Sequence, residues 1–252
     1  MQNDYFNNHD DNSSRIHVVG ENDQELSKYF SLVYSIMFVG VAVTAVVSWL
    51  LAYPFKMQFL NFLQRGGSLA VMLVGFVPLI LIFLMGHNAS KDAPAKVNLI
   101  LFLVMSACYG ITLSLSLLFS SVGSVANALG VTALIFLLMS VIGRNTKNDL
   151  QRGRRVAFSI MIGVILISFI NMIFHSPMVE WILDYAILGI FTWMIASDQQ
   201  NIKMSYYQLK DSGATSTLMA NYATYSAMGL YLDVLNIFMV LLEIFGGNNN
   251  RN

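Results

Sequence analysis

The feature that most constrains the fold is an uncharged stretch that runs from Val97 to Gly143. Its 47 residues include no Asp, Glu, Lys or Arg, whereas one helix that crosses a bilayer needs only about 20 apolar residues. The stretch is interrupted by the turn-forming sequence Ser120-Ser121-Val122-Gly123-Ser124. This interruption predicts two membrane-spanning helices joined by a short turn.

Five further segments have the length and apolar character of membrane spans, which brings the predicted number to seven. They are residues 29–55, 66–90, 156–174, 181–197 and 227–246. Only 11% of the residues are charged, less than half of the roughly 25% that is typical of soluble domains. The predicted fold is therefore an all-α polytopic membrane protein with seven transmembrane helices.

The charge pattern predicts how the chain is organised across the membrane. We expect a polar, disordered cytoplasmic tail over residues 1–28, a seven-helix domain over 29–246 and a short polar tail over 247–252. The first 28 residues lack the apolar core of a signal peptide. Eleven Lys and Arg residues fall on the N-terminal side of the predicted spans and three on the other side, which predicts a cytoplasmic N-terminus.

Several functional classes are disfavoured by composition. Cys108 is the only cysteine, and none of the four histidines is spaced from another as metal ligands are, so neither a disulfide framework nor a zinc site is predicted. The formal net charge of +0 favours no nucleic-acid partner. We expect the basic stretch Arg152–Arg155 to set topology and to touch anionic head groups. Neither an enzymatic activity nor a resident cofactor is predicted.

Two carboxylates stand out because charged groups inside a bilayer are costly. Asp198 is predicted to close span six at its cytoplasmic end, and Asp233 to lie about 9 Å into span seven on the same side. Two such groups cannot cheaply both ionise, so the pair is expected to titrate as a unit. With Gln199 and Asn236 nearby, the pair also offers candidate Ca²⁺ ligands. The chemistry alone leaves a structural proton-sharing pair and a functional gate equally open.

Two further carboxylates are expected nearer the opposite side. Asp184 is predicted about one turn into the outer half of span six, where it is a candidate polar group of an ion pathway. Glu243 lies near the outer end of span seven, and its side chain is expected to reach the interface.

Four segments then resemble the Bax inhibitor family, also known as the transmembrane Bax inhibitor motif proteins. The most specific is Met-Gly-Leu-Tyr-Leu-Asp-Val-Leu-Asn-Ile-Phe at 228–238, which resembles the signature of the family's last helix. Asp-Gln-Gln-Asn-Ile-Lys at 198–203 is similar to the family's motif at the end of span six, with Gln199 in place of Thr. Residues 128–136 and 146–150 resemble motifs of span four and of the following loop.

The resemblance implies a fold in which the last helix is central and six others surround it. It also implies a pH-sensitive calcium leak in the inner membrane of a bacterium, with Ca²⁺, protons and the lipid bilayer as partners. Asp198 and Asp233 would form its proton-sharing dyad. Some bacterial relatives have a basic latch, an arginine at the end of span two, and this chain has none there, so His87 is the candidate replacement.

Three other functions stay open. A non-conducting regulator that binds other membrane proteins, such as quality-control proteases, is also allowed by the resemblance. An intramembrane aspartyl protease also uses two aspartates, but it is expected to show a Gly-x-Gly-Asp context that Asp233 lacks. A proton-coupled solute transporter is the third alternative.

Overall fold

The computed structural model describes residues 10–89, 94–146 and 148–247, with side chains from residue 24 to residue 246 within those ranges. All regular elements in this described part are helical. They are α1 (Asp10–Ala52), α2 (Lys56–Phe62), a π-helical segment (Leu63–Gly67), α3 (Ser68–Ala89), α4 (Ala95–Leu118), α5 (Val122–Asn145), α6 (Gln151–Phe174), α7 (Pro177–Asp211) and α8 (Ser216–Gly247).

Seven helical stretches are long and apolar enough to cross a membrane, since α2 and α3 form one continuous span. The predicted interruption of the uncharged stretch is confirmed, because α4 ends at Leu118 and α5 begins at Val122. The hydroxyl of Ser121 accepts a hydrogen bond from the backbone N–H of Ser124 and so caps the start of α5. The all-α, seven-span prediction is therefore confirmed.

Helix α1 begins at Asp10, so the boundary predicted at residue 28 between a polar tail and the first span falls inside a continuous helix. The first nine residues of the predicted N-terminal tail lie outside the described residues, as do residues 248–252 of the predicted C-terminal tail.

The α2–α3 span is kinked near its beginning. Gly66 has a φ of 94°, a conformation that glycine adopts without the steric cost that a Cβ atom imposes. Arg65 also departs from helical geometry, with a ψ of 18°. The kink separates the short helix α2 from the apolar length of α3.

Helix α8 lies at the centre of the bundle, with α1, α3, α4, α5 and α7 packed around it. In the most apolar 18-residue stretch of α8, 56% of the residues are buried, against 11% to 33% in the corresponding stretches of the other spans. Near the middle of the bundle, the hydroxyls of Tyr231 and Thr44 are 2.7 Å apart, and Thr44 donates to the carbonyl of Ser106. These hydrogen bonds tie α8 to α1 and α1 to α4 in the buried interior of the bundle.

The ends of α3, α5 and α7 and the starts of α4, α6 and α8 lie at the same end of the bundle as the start of α1. We call this the basic end. Helix α7 continues to Asp211, about 20 Å beyond Asp198 along the helix axis, so the helix extends well past the residue that is predicted to close span six. The extension is helical because Ile202, Tyr206 and Leu209 recur at helical spacing and are buried. The hydroxyl of Tyr206 donates to Glu25 of α1.

Candidate functional site

The candidate site is built around Asp198, in the middle of α7. Its side chain forms an ion pair with Arg154, in which a guanidinium nitrogen lies 2.8 Å from Oδ1. Oδ2 faces α8, where a Cβ atom added to Gly229 would lie only 2.9 Å from it. The carboxylate therefore fills the space that the missing side chain of Gly229 leaves on the central helix.

Asp233 lies one helical turn after Gly229 and therefore on the same face of α8. It is 2% exposed, and its Oδ2 has no hydrogen-bond partner among the described residues. Asp233 interacts electrostatically with both Asp198 and Arg154. The structure thus brings the two predicted carboxylates together, with one arginine beside them. A buried carboxylate oxygen without a donor is costly, and binding a proton or a cation would relieve that cost.

The start of α6 is fixed against α7 by hydrogen bonds at the level of Asp198. The side chain of Gln200 accepts from the backbone N–H of Leu150 and donates to the carbonyl of Asn148. The side chain of Gln151 donates to the carbonyl of Ser197. Because Arg154 is in the first turn of α6, these bonds hold its guanidinium opposite Asp198.

Two other predicted polar groups have partners inside the protein. Gln199 is fully buried, accepts from the hydroxyl of Tyr34 at 2.6 Å and donates to the hydroxyl of Ser140 at 3.0 Å. It therefore links α7 to α1 and α5. The side chain of Asn236 donates to the carbonyl of Leu232 in its own helix. That either residue contributes to an ion pathway stays a prediction.

The cation that contacts the pair was not identified from the sequence. His87 is exposed near the end of α3, and its role as a latch stays a prediction. Arg154 was assigned with its neighbours to topology and lipid head groups, whereas its side chain is about one-third exposed and paired. The sequence did contain one indication of this pairing, because Asp198 and the basic loop that contains Arg154 are predicted on the same side of the membrane.

Asp184 lies at the opposite end of the bundle, about 21 Å from Asp198 along α7. It lines a cavity of about 650 Å³ together with Glu180 and Glu243, and the serines 116 and 120 complete its polar wall. Asp184 is 8% exposed and makes no side-chain hydrogen bond within the described chain. Glu243 is exposed, in keeping with the predicted interfacial position. The structure therefore separates Asp184 from the buried pair.

Comparison with known proteins shows what the chain is similar to. The family described as "Inhibitor of apoptosis-promoting Bax1" matches residues 26–250. The inner membrane protein YbhL of Escherichia coli K12 is 34% identical over 223 residues, which cover 88% of this chain and 92% of that protein. An uncharacterized membrane protein of Streptococcus pyogenes serotype M1 is 34% identical over 234 residues, or 92% of this chain and 99% of its own length.

The family match covers most of the first apolar stretch, the six that follow it, the buried carboxylate pair and the cavity at the opposite end. The relatives are named as membrane proteins, in agreement with the fold. The chain belongs to the Bax inhibitor family.

Proposed function

We propose that the protein is a pH-sensitive calcium-leak channel whose closed state is held by Asp198, Asp233 and Arg154. The observation that carries this proposal is the burial of two interacting carboxylates beside a single guanidinium, on the helix at the centre of the bundle. Within the described chain, the charged groups that face either aspartate are the other aspartate and Arg154.

In the proposed closed state, Asp198 is ionised and paired with Arg154, and the proton of the pair resides on Asp233. One positive and one negative charge then balance in the buried space. This arrangement ties α6, α7 and α8 together at one level. Arg154 thereby supplies the basic latch for which His87 was the candidate in the sequence.

Raising the pH removes the proton and leaves two carboxylates facing one arginine. Two unit charges about 4 Å apart repel by about 4 kcal/mol at an effective dielectric constant near 20. A change of this size is enough to reverse a two-state equilibrium that differs by a few kcal/mol. Helix α8 then moves relative to α7, and the two carboxylates attract Ca²⁺ into the opening. Asp184 provides a further carboxylate at the opposite mouth of the path.

The orientation belongs to the same proposal. The basic end carries most of the Lys and Arg residues of the loops, and this favours the cytoplasmic side and hence a cytoplasmic N-terminus. A cysteine introduced at the exposed Asn148, after removal of Cys108, should then resist impermeant thiol reagents in intact cells and react after lysis.

The test is Ca²⁺ flux from proteoliposomes between about pH 6 and pH 8. Flux through the wild-type protein should rise with pH, because deprotonation opens the path. Asp198→Asn and Asp233→Asn should each flatten this dependence, because neither variant can place two negative charges next to each other. Asp149→Asn is the matched control, because Asp149 lies exposed in the loop before α6, and its pH profile should equal that of the wild type.

A folded wild-type protein that passes no Ca²⁺ anywhere in this pH range would refute the channel. That result would favour the alternative, a non-conducting regulator of other membrane proteins.

A further inference from the structure

A lateral groove opens between α1 and α5 near the basic end. It consists of two adjoining cavities of about 570 Å³ and 340 Å³ that share Tyr34, Phe38 and Arg144. Phe38 is 70% exposed, so the groove opens sideways toward the surface that faces lipid in a seven-span bundle. It is distinct from the carboxylate pair, which lies among α6, α7 and α8.

Arg144 stands at the polar part of this groove, and its Nε has no hydrogen-bond partner among the described residues. Its guanidinium carbon lies 4.1 Å from the ring centre of Phe30 and 4.8 Å from that of Tyr34. Its Nε is buried and has no hydrogen-bond partner, and among the described residues no carboxylate forms an ion pair with it. A guanidinium carries five N–H donors, and the two rings offset its charge but do not satisfy the buried Nε–H.

The groove changes from polar to apolar along its length. Ser27, Ser31 and Ser35 recur every four residues on α1, so their hydroxyls follow one face of the helix. The inner cavity is instead lined by Met37, Phe136, Leu137 and Val141, with a polar surface far smaller than its apolar one. Arg144 and Phe136 are about 12 Å apart along α5, so the change occurs within the length of one lipid head group and the start of its chain.

We propose that this groove binds an anionic phospholipid from the leaflet at the basic end. Arg144 donates to the phosphate, the serine hydroxyls donate to its remaining oxygens or to the glycerol, and an acyl chain lies along Phe38 and Leu137. The polar part is nearer the end of the bundle and the apolar part nearer its middle, as the orientation of a leaflet lipid requires. Arginine suits this ligand because its planar fork matches phosphate oxygens.

The experiment is native mass spectrometry of the purified full chain, titrated with phosphatidylglycerol, phosphatidylcholine or soluble glycerol phosphate. Wild-type protein should retain phosphatidylglycerol at least tenfold more strongly than phosphatidylcholine, and glycerol phosphate should not compete with it. Arg144→Gln should remove this preference. Arg152→Gln is the matched control, because it deletes the same charge at the same end from a side chain that is 84% exposed, and it should keep the preference.

A second variant tests the apolar part without changing charge. Leu137 is 62% exposed, so Leu137→Trp should fit without disturbing the core, fill the inner cavity and weaken phosphatidylglycerol binding. Equal retention of the two lipids by wild-type protein would overturn the proposal, as would an unchanged preference in folded Arg144→Gln. Full competition by glycerol phosphate would assign the site to a free phosphate ester instead. None of these readouts depends on Ca²⁺ flux.

Discussion

Buried carboxylates have opposite surroundings at the two ends of the bundle. At the basic end, Asp198 and Asp233 are enclosed by three helices and share the charge of Arg154. At the other end, Asp184 faces an open cavity and its charged neighbours are Glu180 and Glu243. Both sites place an aspartate of α7 next to α8, so the difference lies in the surroundings and not in the helices.

This contrast shows that the free-energy cost of burying an aspartate in a membrane protein depends on what surrounds it. The enclosed pair depends on exact charge balance, because removing one partner of a buried ion pair leaves an uncompensated charge. The open cavity can admit water, which solvates a carboxylate without any protein partner. The enclosed site is therefore expected to be sensitive to substitution, and the open site tolerant of it.

The largest effect is expected when the cation of the enclosed site is removed. Arg154→Gln should lower the free energy of unfolding by about 2 kcal/mol. This is less than the roughly 3–5 kcal/mol lost when one partner of a fully buried ion pair is removed, because the Arg154 side chain is about one-third exposed. Thermal unfolding in detergent measures the change. Adding Asp198→Asn to this variant should recover part of the loss, and strictly additive effects of the two substitutions would show that the pair contributes nothing.

A smaller effect is expected from the glycine that makes room for Asp198. Gly229→Ala places a Cβ atom 2.9 Å from Oδ2, so the carboxylate has to move, at a cost of about 1 kcal/mol. Gly163→Ala on α6 is the control, since a Cβ atom there meets nothing within 4 Å. The control should be neutral or slightly stabilising in the same thermal assay, and an equal loss in both variants would contradict the steric reason.

The smallest effect is expected at the open end. Asp184→Asn conserves size and removes repulsion from Glu180 and Glu243, so the free energy of unfolding should change by less than about 0.5 kcal/mol. A loss as large as that of Arg154→Gln would show that Asp184 is held by specific contacts, and the distinction between the two ends would fail. The same variant should lower Ca²⁺ flux if the cavity leads to the proposed path.

Much of the fold follows from the sequence because bilayer thickness sets the length of each apolar segment. The distribution of charged and turn-forming residues was enough to predict the number of spans and the turn before Val122. The central position of α8 came from the family signature around Asp233, since hydrophobicity alone does not distinguish central from peripheral helices.

The lengths of the helices and the charge partner of Asp198 were harder to predict. Beyond Ser197 the chain becomes more polar, and only the spacing of Ile202, Tyr206 and Leu209 indicates that α7 continues. The pairing of Arg154 with Asp198 depends on how α6 is rotated against α7, which is fixed by contacts of Gln151 and Gln200 that no local pattern reveals.

The small gap at Gly229 also limits the kinds of motion that α8 can undergo. A slide of one helical turn, about 5.4 Å, would bring Tyr225 or Asp233 to the position beside Asp198 that Gly229 now holds. Both side chains are far larger than the space available there, so Asp198 acts as a stop against axial displacement of the central helix. Rotation of α8 about its own axis and tilting away from α7 are not blocked in this way.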